Sequence, residues 1–174
     1  MKKYILKIIV LGIFFVSITA PITVLAEEYG IVPVEVQAAL FLKILKFNND
    51  IAKGDGATIY VLDSQEFADE MSKAIGRKIG KSKLTAINAG YSIPEEKPSV
   101  VYIGNSENVE EILNYTRSNK ILSITGIPSM ISKGVTLGVG VSDGKPKILL
   151  NYASLKLEGV NMNPAIHKIA KVIK

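Results

Sequence analysis

Short apolar runs alternate with segments of helical period along this chain, and that alternation narrows the folds open to it more than any other feature. The runs are Thr58–Leu62 (TIYVL), Lys83–Ile87 (KLTAI), Ser99–Ile103 (SVVYI) and Ile121–Thr125 (ILSIT). A strand with one face in water alternates apolar with polar residues, whereas a strand covered on both faces reads as a continuous apolar run. Between the runs, Phe67, Met71, Ala74 and Ile75 recur at helical spacing after Asp63-Ser64, and Val109, Ile112, Leu113 and Thr116 do so within residues 105–119. Strands alternating with amphipathic helices, with a Gly90–Pro98 loop between the second and third strands, imply a mostly parallel sheet with helices on both faces, a Rossmann-like three-layer α/β sandwich.

The flanks of this unit read differently. Residues 33–47 (PVEVQAALFLKILKF) form a largely buried helix, with Glu35, Ala39, Lys43 and Lys46 on one narrow outer stripe and Pro33 in its first turn. The helix should end near Asn48-Asn49-Asp50, ahead of the Gly54-Asp55-Gly56 turn. From Gly134 the pattern becomes a hairpin, Val135–Val141 and Lys147–Leu150, joined through Asp143-Gly144. The chain closes on a segment, residues 163–174, in which Pro164 opens a helix and Ile166, Ile169, Ala170 and Ile173 share a face.

Ahead of all this stands a leader. Lys2, Lys3 and Lys7 precede the apolar stretch Ile8–Ala20, Pro21 follows, and small residues close at Ala26 before Glu27-Glu28. That order is a cleavable secretory signal peptide, residues 1–26, leaving residues 27–174 as one domain. An uncleaved anchor is the alternative, but Pro21, the hydroxyls of Ser17, Thr19 and Thr23, and the lack of a basic cluster after Ala26 argue against it. Either way the functional part is expected outside the cytoplasm, which removes most ATP-dependent and nicotinamide-dependent chemistry.

The formal charge of +5 includes three leader lysines, so residues 27–174 carry +2, and the chain gives no case for nucleic acid. With no cysteine, a disulfide framework, a thiolate nucleophile and a cysteine metal site are excluded, and His167 is the one histidine. Gly76–Ser82 has three residues between its glycines where a phosphate loop needs four. Glu95-Glu96 and Glu110-Glu111 are adjacent pairs whose side chains diverge. No catalytic group and no cofactor is expected, although a hydrolase built on His167 is conceivable on paper. Asp63 ends the first strand, where an open parallel sheet meets ligands, and with Gly104 and Asn105 it marks a crevice; capping the following helix is its other reading.

Four stretches taken in order carry a resemblance: VQAALFLKILKF (Val36–Phe47), ILSITG (Ile121–Gly126), GVTLG (Gly134–Gly138) continuing to KILLNYASL (Lys147–Leu155), and NPAIHKIAKVI (Asn163–Ile173). Together they resemble the YfiR/HmsC family, the DUF4154 domain, over nearly all of residues 27–174. The chain departs from it where members carry Val-x-Trp-Pro after the first helix, having Asn48-Asn49-Asp50-Ile51 instead. The cysteines of some members are also missing. The resemblance implies a periplasmic repressor of an inner-membrane diguanylate cyclase or sensor protein, acting on cyclic-di-GMP and biofilm formation, and a homodimer is compatible with it. The partner surface is expected at the C-terminal hairpin and helix, with Asn151 and Tyr152 as candidates; Asn151 is equally a turn or cap residue. A small-ligand binding protein using the Asp63, Gly104 and Asn105 crevice is the alternative.

Overall fold

The computed structural model describes residues 28–173, so the expected signal peptide, residues 1–26, lies outside the described residues. Helix α1 (Val34–Leu45) turns Phe41, Ile44 and Leu45 into the core and leaves Glu35, Ala39, Lys43 and Lys46 outside, as the stripe requires. It stops at Leu45 because Asn48 starts a new axis: its side chain accepts from the amides of Asp50 and Ile51 at 3.0 and 3.2 Å, capping α2 (Asn49–Lys53). Strand β1 (Ala57–Leu62) follows, then α3 (Gln65–Ser72), the short β2 (Lys78–Ile79) and β3 (Ser82–Gly90). Next come β4 (Val100–Ile103), α4 (Val109–Asn119), β5 (Leu122–Thr125), α5 (Ser129–Ser132), β6 (Leu137–Ser142) and β7 (Lys145–Asn151). Helix α6 (Tyr152–Glu158), a 3-10 turn (Pro164–Lys168) and β8 (Ala170–Ile173) are the last elements of the described residues.

The eight strands form one sheet in the order β2-β3-β1-β4-β5-β6-β7-β8. Strands β3, β1, β4, β5 and β6 are parallel; β7 runs against β6, and β8 runs with β7. The order reverses at β1, with β3 on one side and β4 on the other, which opens a gap between the carboxyl ends of β1 and β4.

Apolar side chains packed on both sheet faces explain why β1, β4 and β5 read as unbroken runs, whereas in β3 Lys83 and Thr85 are exposed and Leu84 is buried. On one face Phe41 and Phe67 pack with Ile59, Val61 and Tyr102; on the other Ile112, Leu113 and Met130 pack with Leu62, Val101 and Ile103. The Phe67 and Tyr102 rings stack at 3.7 Å, and Phe41 meets both edge-on. The sheet with helices on each face is the three-layer α/β arrangement that the alternation implied.

Three elements depart from the sequence-based expectation. The final segment is a 3-10 turn and a strand in place of a helix: Asn163 caps the turn by accepting from the Ala165 amide at 2.9 Å, and Ala170–Ile173 then pairs with Ile148–Asn151. The edge of β7 needs a hydrogen-bonding partner, and that tertiary demand overrides a helical spacing that only Ile166 among the four residues buries fully. Helix α6 was not foreseen; it starts on Asn151 and ends at Gly159, whose φ of 63° suits glycine. Ile75, expected on the inner face after α3, is half exposed because the helix has ended at Ser72. The hairpin is as expected, with Asp143 and Gly144 both at positive φ, 52° and 68°, the pairing a two-residue turn demands.

Candidate functional site

The sequence named two regions, and the fold places them at opposite ends of the sheet. Asp63, Gly104 and Asn105 come together at the carboxyl ends of β1 and β4, beside the first turn of α1. Asn151 and Tyr152 lie at the other end, where the Asn151 amide donates to the Thr136 carbonyl ahead of β6 at 2.9 Å.

At the first end, the gap between β1 and β4 becomes a cleft of about 330 Å³. Gly104 lets the two strand ends close on each other: its amide donates to the Leu62 carbonyl at 2.8 Å, and a Cβ there would strike the Asp63 carbonyl. Asp63 itself sits at φ 53°, and Ser64 occupies the N-cap of α3 without making a side-chain cap bond. Asp63 therefore turns the chain into the cleft mouth and is not the cap of α3. Ile31, Val32, Pro33 and Ile127 supply apolar wall, Asp63 and Glu66 supply carboxylates, and among the described residues no Lys, Arg or His lines the space. Other depressions, of about 290 and 400 Å³, involve the Glu95–Ser99 loop and do not lie at the strand reversal.

The floor of the cleft is a buried polar knot that sequence reasoning missed. Tyr102 donates its hydroxyl to Gln37 Oε1 at 2.9 Å, and Gln37 Nε2 donates to the Val32 carbonyl at 2.7 Å. Ser64 and the Gly126 backbone also neighbour the hydroxyl, but burial outweighs them and pushes the Tyr102 pKa up to about 12. Tyr102 is thus a neutral hydrogen-bond donor at any physiological pH, tying α1 to β4. In the sequence Gln37 looked like one more helix residue among apolar ones, with nothing to mark it as buried.

At the second end, Asn151 is half-buried and committed to structure. Its Oδ1 accepts from the Ser154 amide at 3.0 Å and its Nδ2 donates to the Ile131 carbonyl at 2.9 Å, so it caps α6. Tyr152 is exposed; its ring meets His167 at 5.3 Å and Lys156 lies over it at 4.6 Å. His167 thereby contacts an aromatic ring, and among the described residues no cluster of His, Asp and Glu could hold a metal ion.

Glu158, at the end of α6, is the residue the sequence concealed most completely. It is fully buried, with Thr136 Oγ1 donating at 2.7 Å, the Ser123 amide donating to both oxygens at 3.2 Å, and Thr116 Oγ1 at 3.1 Å. Burial raises its pKa, and the donors from Ser123, Thr136 and Thr116 only partly offset that. It pins α6 to α4 and β5 beneath the Tyr152 surface. Among the described residues no helix is long and apolar enough to cross a membrane.

A family model described as YfiR/HmsC-like, DUF4154, matches residues 34–171, from the first residue of α1 into β8. No curated protein matches the chain.

Proposed function

The chain belongs to the YfiR/HmsC-like family, whose members are periplasmic regulators, and on that premise we propose that it is exported and represses an inner-membrane diguanylate cyclase or related sensor. It does so by binding the sensor's periplasmic domain, so that envelope conditions set cyclic-di-GMP and biofilm formation. The family match over residues 34–171 carries this reading. A repressor of this kind works by differential affinity: it shifts its target only as far as it binds the inactive arrangement more tightly than the active one. A tenfold preference corresponds to about 1.4 kcal/mol. Because the chain has no cysteine, a disulfide cannot be its sensing element. The experiment is crosslinking in intact cells, affinity recovery of the tagged chain and mass spectrometry of the partners. A membrane cyclase or sensor recovered through its periplasmic domain is the expected result; recovery of the chain alone across several growth conditions overturns it.

A second reading is favoured by one observation, the cleft of about 330 Å³ at the strand reversal. There the protein would bind a small ligand through Asp63, Gly104 and Asn105, for a transporter or sensor kinase. A ligand present at a hundred times its Kd stabilises the native state by about 2.7 kcal/mol, which a melting screen of periplasmic extracts detects. A screen without any shift removes this reading.

A further inference from the structure

Charge is divided unevenly along the chain, and the division has a spatial meaning. Residues 27–129 hold eleven Lys and Arg against fourteen Asp and Glu, whereas residues 130–174 hold seven lysines against two acids. Of those two, Glu158 is fully buried and Asp143 sits in the hairpin turn. Residues 130–174 run from α5 through β6, β7 and α6 to β8, and the six lysines among the described residues of this stretch make this side of the sheet basic. Lys147 directly precedes Ile148, the residue opposite Ala170, and Lys168 stands two residues before Ala170, so both lysines flank the start of β8. Both lack an ion pair among the described residues.

Among the described residues, strand β8 is also the last strand on its side of the sheet. An outermost strand offers a row of backbone N–H and C=O groups to a further chain. Beside it, Ile169 and Val172 are exposed large apolar residues. We propose that the β8 edge takes up an acidic, extended segment of a partner protein, which adds to the eight-stranded sheet as a further strand. The backbone ladder gives the affinity, Ile169 and Val172 give apolar contact, and the lysines select acidic side chains. The same lysines disfavour a second copy as occupant, since pairing two β8 edges brings like charges together across the seam. The inference rests on the reading that the C-terminal face carries the partner, and it names that partner's chemistry.

The probe is a capped heptapeptide, Thr-Glu-Val-Glu-Val-Glu-Thr, with a reference peptide in which proline replaces both valines. The reference has the same charge but loses two amide donors and resists strand pairing. Expected are binding of the first peptide by the purified chain, slowed amide exchange in Ala170–Ile173, and at least a tenfold loss of affinity in a Lys147→Glu/Lys168→Glu variant. Both substitutions are at positions outside the buried core, and circular dichroism verifies the fold of the variant. Equal binding of the two peptides, protection confined to other strands, or undiminished affinity of the double variant overturns the proposal. So does concentration-dependent self-association that slows the same β8 amides without peptide, because the occupant is then a second copy. A cyclase recovered from cells alongside failure of the peptide refutes strand addition alone. Peptide binding without any recovered cyclase refutes the partner and leaves the edge intact.

Discussion

Glu158 shows how much of this molecule rests on single polar residues placed where water is absent. Its carboxylate gathers donors from Thr116, Ser123 and Thr136, and Glu158→Ala would strand all three. The expected cost is about 3 kcal/mol or more, read from urea unfolding. Its pH dependence has a definite sign. The folded pKa lies above the reference value of 4.5, so the stabilisation is fully present below that pH and is lost as pH rises through the folded pKa. Glu158→Gln, which cannot ionise, should flatten that decline; an unchanged slope would assign it to other groups. Gly126→Ala tests the polar knot, since the added Cβ would fall on the Gln37 side chain and break its bond with Tyr102. A loss of about 2 kcal/mol is expected, against near neutrality if the knot yields freely. None of this was legible beforehand, because a lone Glu or Gln in sequence carries no sign of its burial.

Elements were legible where local pattern and tertiary demand agree. The four apolar runs became β1, β3, β4 and β5, and Asp143-Gly144 became the turn; burial on both faces marks β1, β4 and β5, β3 buries one face around Leu84, and positive φ marks the turn. Gly144→Val tests the second point: a branched side chain at φ 68° should cost roughly 1–2 kcal/mol and lower the melting temperature without altering the sheet. The last segment failed because Ile166, Ile169, Ala170 and Ile173 fit a helix by spacing, while the open edge of β7 requires a strand. Helix α6 did leave a signal: Asn151, then good helix formers, then Gly159. The departure at Asn48-Asn49 also has a structural role. Asn49 Nδ2 donates to Asn161 Oδ1 at 2.9 Å, and the Asn163 amide donates to the Phe47 carbonyl at 2.7 Å, fastening the C-terminal segment to the end of α1.

Across the whole molecule, the cleft and the basic edge occupy separate regions of one sheet, so a ligand at the first and a protein at the second need not compete. The crevice was legible because strand order alone dictates where a parallel sheet opens. The β8 edge proposed for the partner was not legible as an edge, since the residues that build the strand fit a helix by spacing. Regulation requires that occupancy at the C-terminal face change what a target does, and the level of cyclic-di-GMP reports that directly. The decisive measurement is therefore cyclic-di-GMP in cells lacking the chain, in cells restored with it, and in cells restored with the Lys147→Glu/Lys168→Glu variant at equal abundance. The expected result is a raised level without the chain, a normal level with it, and a raised level with the variant. An unchanged level in the cells lacking the chain would contradict the regulatory account.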